Sequence, residues 1–323
     1  MKLKGIEFGN VFAASGTLNF FGDGWWYHIF YMIFFFFSFR KIKECTFVSK
    51  TTTWAPRAGN MPLKKNLQPK ELLPKCIKIY PFKGIVLNAV GLSGPGAEYL
   101  FAANIWQQRT EPFFISFMAV GDTEQERLEE TKKFISLFQK ELPNFHAPVG
   151  AQVNRSCPNT GHSTKEFEKE TLDHLKLFSV LGIPIDLKIN VLFDIELIKE
   201  IEANELCDVI TMSNTIPYGA CPEWIDWDQL LGRPDSPLKE YGGGGLSGRN
   251  ELAVVLERIR MMRQAGITKK IKGSGGIMCA NDVIRMHKAG VNCGIEFATA
   301  SMIRPWLVKE IVETAKNIFK DEN

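Results

Sequence analysis

The six residues Asn154-Arg155-Ser156-Cys157-Pro158-Asn159 set two amide side chains beside a thiol, directly after the apolar run 149–153. Proline has no N–H to give a β-ladder, so the run reads as a strand that ends in a loop here. An asparagine side chain both donates and accepts hydrogen bonds. Two of them could hold a planar amide or imide ring while the sulfur takes a proton from one of its carbons. A strand end with a buried cysteine and turn-forming asparagines would carry the same letters, so the rest of the chain has to decide.

Two lysines and more amides stand at similar places. Lys50 ends the run 46–49, Lys188 lies near the end of 185–189, and Ser213-Asn214-Thr215 follows 209–212. Read alone, either lysine is an ordinary solvated strand-end residue. An inward lysine is costly to bury unless an anion or acceptor meets it. Two lysines with several asparagines therefore point to a polar, partly anionic, planar ligand. Three loop segments follow, the first two glycine-bearing: 242–248, which precedes a helix starting near Asn250; 273–276, with Gly275 and Gly276; and Ala298-Thr299-Ala300. Glycines let backbone N–H groups approach an anion. One such cluster is commonly just a turn; three, ordered in this way, suggest a phosphate site.

The elements that must position these residues alternate along the whole chain. Strand candidates are 11–14, 46–49, 85–87, 113–117, 149–153, 185–189, 209–212, 271–272 and 294–297. Helix candidates are 123–140, 164–181, 193–204, 250–265, 281–289 and 305–319. Thr123 with Glu126 makes a capping-box pattern, and Gly182, Gly266 and Gly290 stand where helix-terminating glycines belong. Strand–helix alternation implies parallel strands with right-handed crossovers. Nine strands are one too many for an eightfold barrel, and 85–87 is the one to set aside. The stretch before it carries Pro56, Pro62, Pro69, Pro74 and Pro81 and shows no helical period, whereas a parallel crossover needs a helix. The expected fold is an α/β (β/α)8 TIM barrel of a single domain over 1–323. Residues 51–94 form a long active-site excursion over the C-terminal mouth, the face on which barrels keep their catalysts.

Composition narrows the function. A charged fraction of 23% with a net charge of +3 and no long basic run does not indicate nucleic acid binding. Seven cysteines with no pair two to four residues apart argue against zinc or iron–sulfur ligation by this chain; the reading is metal-free. An odd count without a signal peptide suits a reducing cytoplasm. The first crossover is unusual. Residues 20–39 hold twelve aromatics, and 24–39 hold no Asp, Glu, Lys or Arg. Sixteen helical residues reach about 24 Å, short of the roughly 30 Å hydrocarbon core. The expected form is an unusually apolar barrel helix, with a membrane-surface or partner-contacting helix as the alternative.

The ordered set of motifs resembles the dihydroorotate dehydrogenase family, flavin mononucleotide (FMN) barrel enzymes of pyrimidine (UMP) biosynthesis. It runs through Ala14-Ser15-Gly16, Phe47-Val48-Ser49-Lys50-Thr51, Asn88-Ala89-Val90-Gly91-Leu92, Ser156-Cys157-Pro158-Asn159, Gly244-Gly245-Leu246-Ser247-Gly248 and Gly275-Gly276-Ile277. The resemblance implies oxidation of (S)-dihydroorotate to orotate, with Cys157 taking a ring proton while the flavin takes hydride. It also implies that Lys188 lies where negative charge develops on the flavin. Lys50, Asn88, Asn154, Asn159, Asn214 and Thr215 would hold the substrate. Ala14, Ser15, Lys50, Thr51, Asn154, Lys188, Gly248, Gly275, Gly276, Ala298 and Thr299 would hold the cofactor. Arg155 and Ala298 depart from the family's pattern, and the family offers no account of 20–39.

Cysteine at 157 is similar to the soluble class 1 branch, and only about ten residues precede the first strand candidate, leaving no space for a preceding quinone-tunnel helix pair. That branch implies a cytoplasmic homodimer using fumarate, or a partner subunit with FAD and an iron–sulfur cluster that passes electrons to NAD; membrane contact is not expected. Two alternatives stay open. One is a dihydropyrimidine or dihydrouracil flavin oxidoreductase, against which Asn159 speaks. The other is a flavin-binding subunit that docks a membrane or partner through 20–39.

Overall fold

The computed structural model describes residues 1–156 and 164–320, with side chains from 168 onward in the second part. Cys157 and Asn159 lie outside the described residues. Eight strands carry the architecture: β1 (Val11–Ala13), β2 (Thr46–Phe47), β3 (Phe113–Phe117), β4 (Val149–Asn154), β5 (Ile185–Ile189), β6 (Val209–Met212), β7 (Lys270–Ser274) and β8 (Ile295–Phe297). They hydrogen-bond in the order β2-β1-β8-β7-β6-β5-β4-β3, all parallel. Parallel bridges Val48↔Phe114 and Thr52↔Phe117 bring the two end strands together, so the sheet nearly closes into the expected (β/α)8 barrel. The hairpin Lys2–Leu3/Ile6–Glu7 plugs the N-terminal end: Met1, Leu3 and Phe8 pack on Phe12, Val48, Phe114 and Val209.

Local chemistry sets the crossovers. Helix Glu124–Glu141 begins at Thr123, whose hydroxyl accepts from the Glu126 N–H while the Glu126 carboxylate accepts from the Thr123 N–H. Gly290 ends helix Ala280–Ala289 in the left-handed region, where a side chain would be strained. The helix candidates were right to within two residues at most ends. The barrel interior is more polar than β-branched strands alone suggest. Lys272 on β7 sits 2.7 Å from both Asp186 on β5 and Glu296 on β8, and Gln152 on β4 donates to both carboxylates. Burial opposes the charge on Lys272, yet those two carboxylates hold its pKa above the ordinary lysine value.

Three expectations need correction. The crossover 20–39 is not one barrel helix but two short ones, His28–Phe34 and Phe36–Lys43, broken at Phe35, whose backbone leaves the helical region. Its ring rests against Trp306 at 6.0 Å. The apolar residues are not turned to the barrel: Ile33, Phe34 and Phe37 are 67%, 71% and 73% exposed. A helix with one apolar side can bury only the stripe it presents, and here that stripe is small, His28 on the first helix and Ser38 and Ile42 on the second. Second, the excursion 51–94 carries two strands, Ile77–Tyr80 and Ile85–Asn88, rather than one. Third, the glycine run is not only a loop. Gly245–Gly248 is a strand that pairs antiparallel with Ile85–Asn88 and with Ile216–Pro217, completing a four-stranded sheet over the mouth. Gly248 is required there because a Cβ would stand 2.3 Å from the Gly84 carbonyl oxygen.

Candidate active site

A cavity of about 460 Å³ opens at the C-terminal ends of the barrel strands, beneath the mouth sheet. Its size and position are those of a small-molecule site in this fold. On the β1–β4 side the polar contacts are continuous. Ser15 Oγ and Thr51 Oγ1 are 2.9 Å apart, Thr51 Oγ1 and Ser116 Oγ are 2.9 Å apart, and Asn154 Nδ2 donates to Thr51 Oγ1 at 3.3 Å. Asn214 Nδ2 donates to Asn154 Oδ1 at 3.1 Å and to Ser156 Oγ at 3.4 Å. The two asparagines thus come from β4 and from the loop after β6 to form one amide cluster. Asn88, from the excursion, and Thr215 line the same cavity.

The lysines are held differently. Lys50 Nζ donates to the Ser93 carbonyl at 2.6 Å and lies over the Phe20 ring, so the excursion itself supplies its acceptor. Lys188 Nζ meets Glu296 Oε1 at 2.6 Å. Burial pushes the Glu296 carboxyl toward neutrality, but Lys188 and Lys272 hold it ionised, well below the usual carboxylate range. Lys188 is therefore a cation at the cavity wall with a fixed counter-charge behind it.

The glycine-bearing loops meet at the far end, where Gly275, Gly276, Ala298 and Thr299 line the cavity. Thr299 Oγ1 is 3.0 Å from Ser247 Oγ. Gly248 does not line the cavity; its neighbour Ser247 does. Gly275 and Gly276 have positive φ, and a Cβ at 276 would stand 2.5 Å from the Leu252 backbone, so the turn fits only glycine.

Arg155 points away from the cavity, as strand alternation predicts, and is 1% exposed. It meets Glu170 at 3.2 Å, and Arg127 grips the same carboxylate, with a second contact at 2.9 Å from its Nε. His174 joins at 3.5 Å and is 2.8 Å from Thr131 Oγ1. Burial opposes ionisation of Glu170, yet the Arg127 and His174 contacts and the charge of Arg155 hold it far below the usual range. Burial, reinforced by Arg155, lowers His174 to about 4. Glu170 therefore pins Arg155, two residues before Cys157, to the helices behind the sheet.

Sequence reasoning missed several cavity residues. Trp25, Trp26, Tyr27 and Tyr31 line the mouth from the first crossover, with the Trp25 indole donating to the Gly16 carbonyl at 2.7 Å. Glu296 had a readable signal, a charge inside an otherwise apolar strand; Glu251 had none, since an acid at a helix start is commonplace.

A barrel with an amide cluster, two lysines and glycine turns converging on one mouth cavity defines a barrel enzyme acting on a planar, anionic small molecule. The family model for dihydroorotate dehydrogenase matches residues 38–319. The chain is 30% identical over 234 residues to the NAD(+)-type B catalytic subunit of dihydroorotate dehydrogenase from Anoxybacillus flavithermus, covering 70% of this chain and 68% of that one. It is also 30% identical over 216 residues to the fumarate-type enzyme A of Lactobacillus delbrueckii subsp. bulgaricus, covering 64% of each. Among solved structures, the dihydroorotate dehydrogenase of Eimeria tenella in complex with ferulenol superposes with a TM-score of 0.68 at 16% identity, over 98% of this chain and 83% of that one. The chain belongs to the dihydroorotate dehydrogenase family and is a flavoprotein oxidoreductase of that family.

Proposed function

We propose that the chain oxidises (S)-dihydroorotate to orotate with one non-covalent FMN, acting as a single FMN-binding barrel domain. The observation that carries this reading is the convergence of Asn88, Asn154, Asn214, Lys50 and Lys188 on one wall of a cavity whose other end is formed by the Gly275-Gly276 turn and Thr299. The residues fit such a group: the turn admits no side chain, and the amides offer matched donors and acceptors for a planar imide. When bound, the flavin supplies the hydride acceptor. Asn88, Asn154, Asn214 and Thr215, with Asn159, would orient the ring and carboxylate, Lys50 would offset the substrate's charge, and Lys188 would face the charge that develops on the flavin. Cys157 would take the C5 proton, the task of a thiol that can reach the thiolate at neutral pH. Ala14, Ser15 and Thr51 would hold the flavin ring, and Gly275, Gly276, Ala298 and Thr299 would hold its phosphate, with Ser247 rather than Gly248 at that wall.

For the oxidant, the reading is fumarate with a homodimer, or NAD through a separate electron-transfer subunit, in the cytoplasm. A second reading draws on one observation: the stretch 29–37 exposes a run of large apolar side chains, and its Tyr31 lines the cavity together with the exposed Leu72 and Leu73. That stretch could rest on a lipid surface. No helix among the described residues is long and apolar enough to cross a membrane. Mass spectrometry of the released cofactor tests the central claim: FMN is expected, and FAD or no flavin overturns it. There is no early Gly-x-Gly-x-x-Gly turn of the kind dinucleotides use.

A further inference from the structure

Glu251 has no part in the reaction proposed above. It closes the 3-10 turn Arg249–Glu251 that leads into helix Leu252–Gln264, and it is 1% exposed. Among the described residues, neither of its carboxyl oxygens makes a hydrogen bond of good geometry, although the Gly248 and Gly276 N–H groups and the Ser213 hydroxyl lie close to it. A buried carboxyl left that way is costly, and such groups in folded proteins ordinarily have a mate. This one lines the cavity.

Its neighbours fix where along the cavity it lies. The Gly248 and Gly276 backbone N–H groups, the Ser213 hydroxyl and the Lys188 ammonium face its carboxyl. A Cβ at Gly275 would stand 2.6 Å from Oε1, so this turn leaves its space to the carboxyl. Burial lifts its pKa to about 8, against the pull of those four groups, so near neutral pH it is mainly the uncharged acid. Such an acid has one O–H to give and oxygen lone pairs to receive with. Lys188 belongs to the end assigned above to the flavin ring, and Gly275 and Gly276 to the end assigned to its phosphate. What joins ring to phosphate in a flavin nucleotide is a chain of hydroxyls, and a cavity-lining carboxyl whose oxygens make no well-formed bond within the chain matches adjacent hydroxyls. A phosphate at the same point would be a poorer mate, since it has few protons to offer.

We propose that Glu251 is the polyol-binding residue of this site, hydrogen-bonding the ribityl hydroxyls of the bound flavin. The proposal rests on the flavin reading above, and the experiment separates the two. Apoprotein is titrated, by fluorescence, with FMN, riboflavin and lumiflavin, the last carrying a methyl group in place of the ribityl chain. The wild type is expected to bind riboflavin about tenfold more tightly than lumiflavin, the scale of two ordinary hydrogen bonds. Glu251→Ala should bring that ratio to within about threefold of unity while lumiflavin affinity stays unchanged, and Glu251→Gln, which keeps a donor and an acceptor, should retain most of it. Glu251→Leu fills a similar volume and carries the same test if the alanine variant does not fold. A ratio that survives Glu251→Ala or Glu251→Leu overturns the assignment and leaves the flavin reading standing. A wild type that binds none of the three overturns the flavin reading and this proposal with it.

Discussion

At the residue scale the two groups proposed to act on the substrate and the flavin differ in how they are supported. Cys157 is assigned as base by its motif and by its place just after Asn154 and Ser156, whose side chains share Asn214 as donor. Cys157→Ala should slow flavin reduction by dihydroorotate by roughly two to four orders of magnitude, the scale of a positioned base, while orotate still binds. Anaerobic stopped-flow bleaching near the wild-type rate would assign the base elsewhere. Lys188 is a cation whose counter-charge, Glu296, is built into the barrel floor. A cation beside the flavin favours the reduced, anionic form. Lys188→Ala should therefore lower the flavin's reduction potential and weaken its retention, and an unchanged potential with full occupancy would remove the lysine from the mechanism.

At the element scale, the junction between β4 and helix Thr164–Ser179 is held by buried charge. Glu170 answers two buried guanidiniums, Arg127 and Arg155. Glu170→Ala removes the carboxylate that both share and should cost about 3–5 kcal/mol in urea unfolding, far more than an exposed pair would. A loss under about 1 kcal/mol, the scale of surface pairs, would show the network to be dispensable. The same junction makes stability depend on pH. His174 has its pKa lowered to about 4 in the fold, against an ordinary value near 6.5. Between those values the unfolded chain binds a proton that the folded chain refuses, so stability falls as pH drops from about 6.5 toward 4. Ionised Glu170, lowered in the fold, adds a loss in the same direction at still lower pH. The urea midpoint should fall over the His174 window and do so less in His174→Gln; an equal fall in both would place the titration elsewhere.

At the scale of the whole molecule the cavity mouth governs which oxidant reaches the flavin. The cavity mouth is framed by Trp25, Trp26, Tyr27 and Tyr31, and the apolar face of 29–37 continues from that frame to the surface. The leading reading expects no flotation with liposomes and turnover with fumarate, or with NAD once a partner subunit is added. Tight lipid binding together with quinone turnover exceeding fumarate turnover would establish the interfacial reading instead.

The sequence by itself determined the barrel, because strand and helix periods and the helix-ending glycines are local properties that each segment states alone. It also singled out Lys50, Asn154, Lys188 and Asn214, since polar residues closing apolar runs are visible without a fold. Only the tertiary structure decided what those residues meet. Glu296 behind Lys188 and Glu170 behind Arg155 are joined across 108 and 15 residues, and no spacing rule predicts such pairs. The same holds for Gly245–Gly248, whose extended pairing with Ile85–Asn88 comes from a partner strand far away in sequence. The aromatic crossover was misread for a related reason: its composition records how apolar it is, but which of its faces finds a neighbour is settled only when the barrel is built.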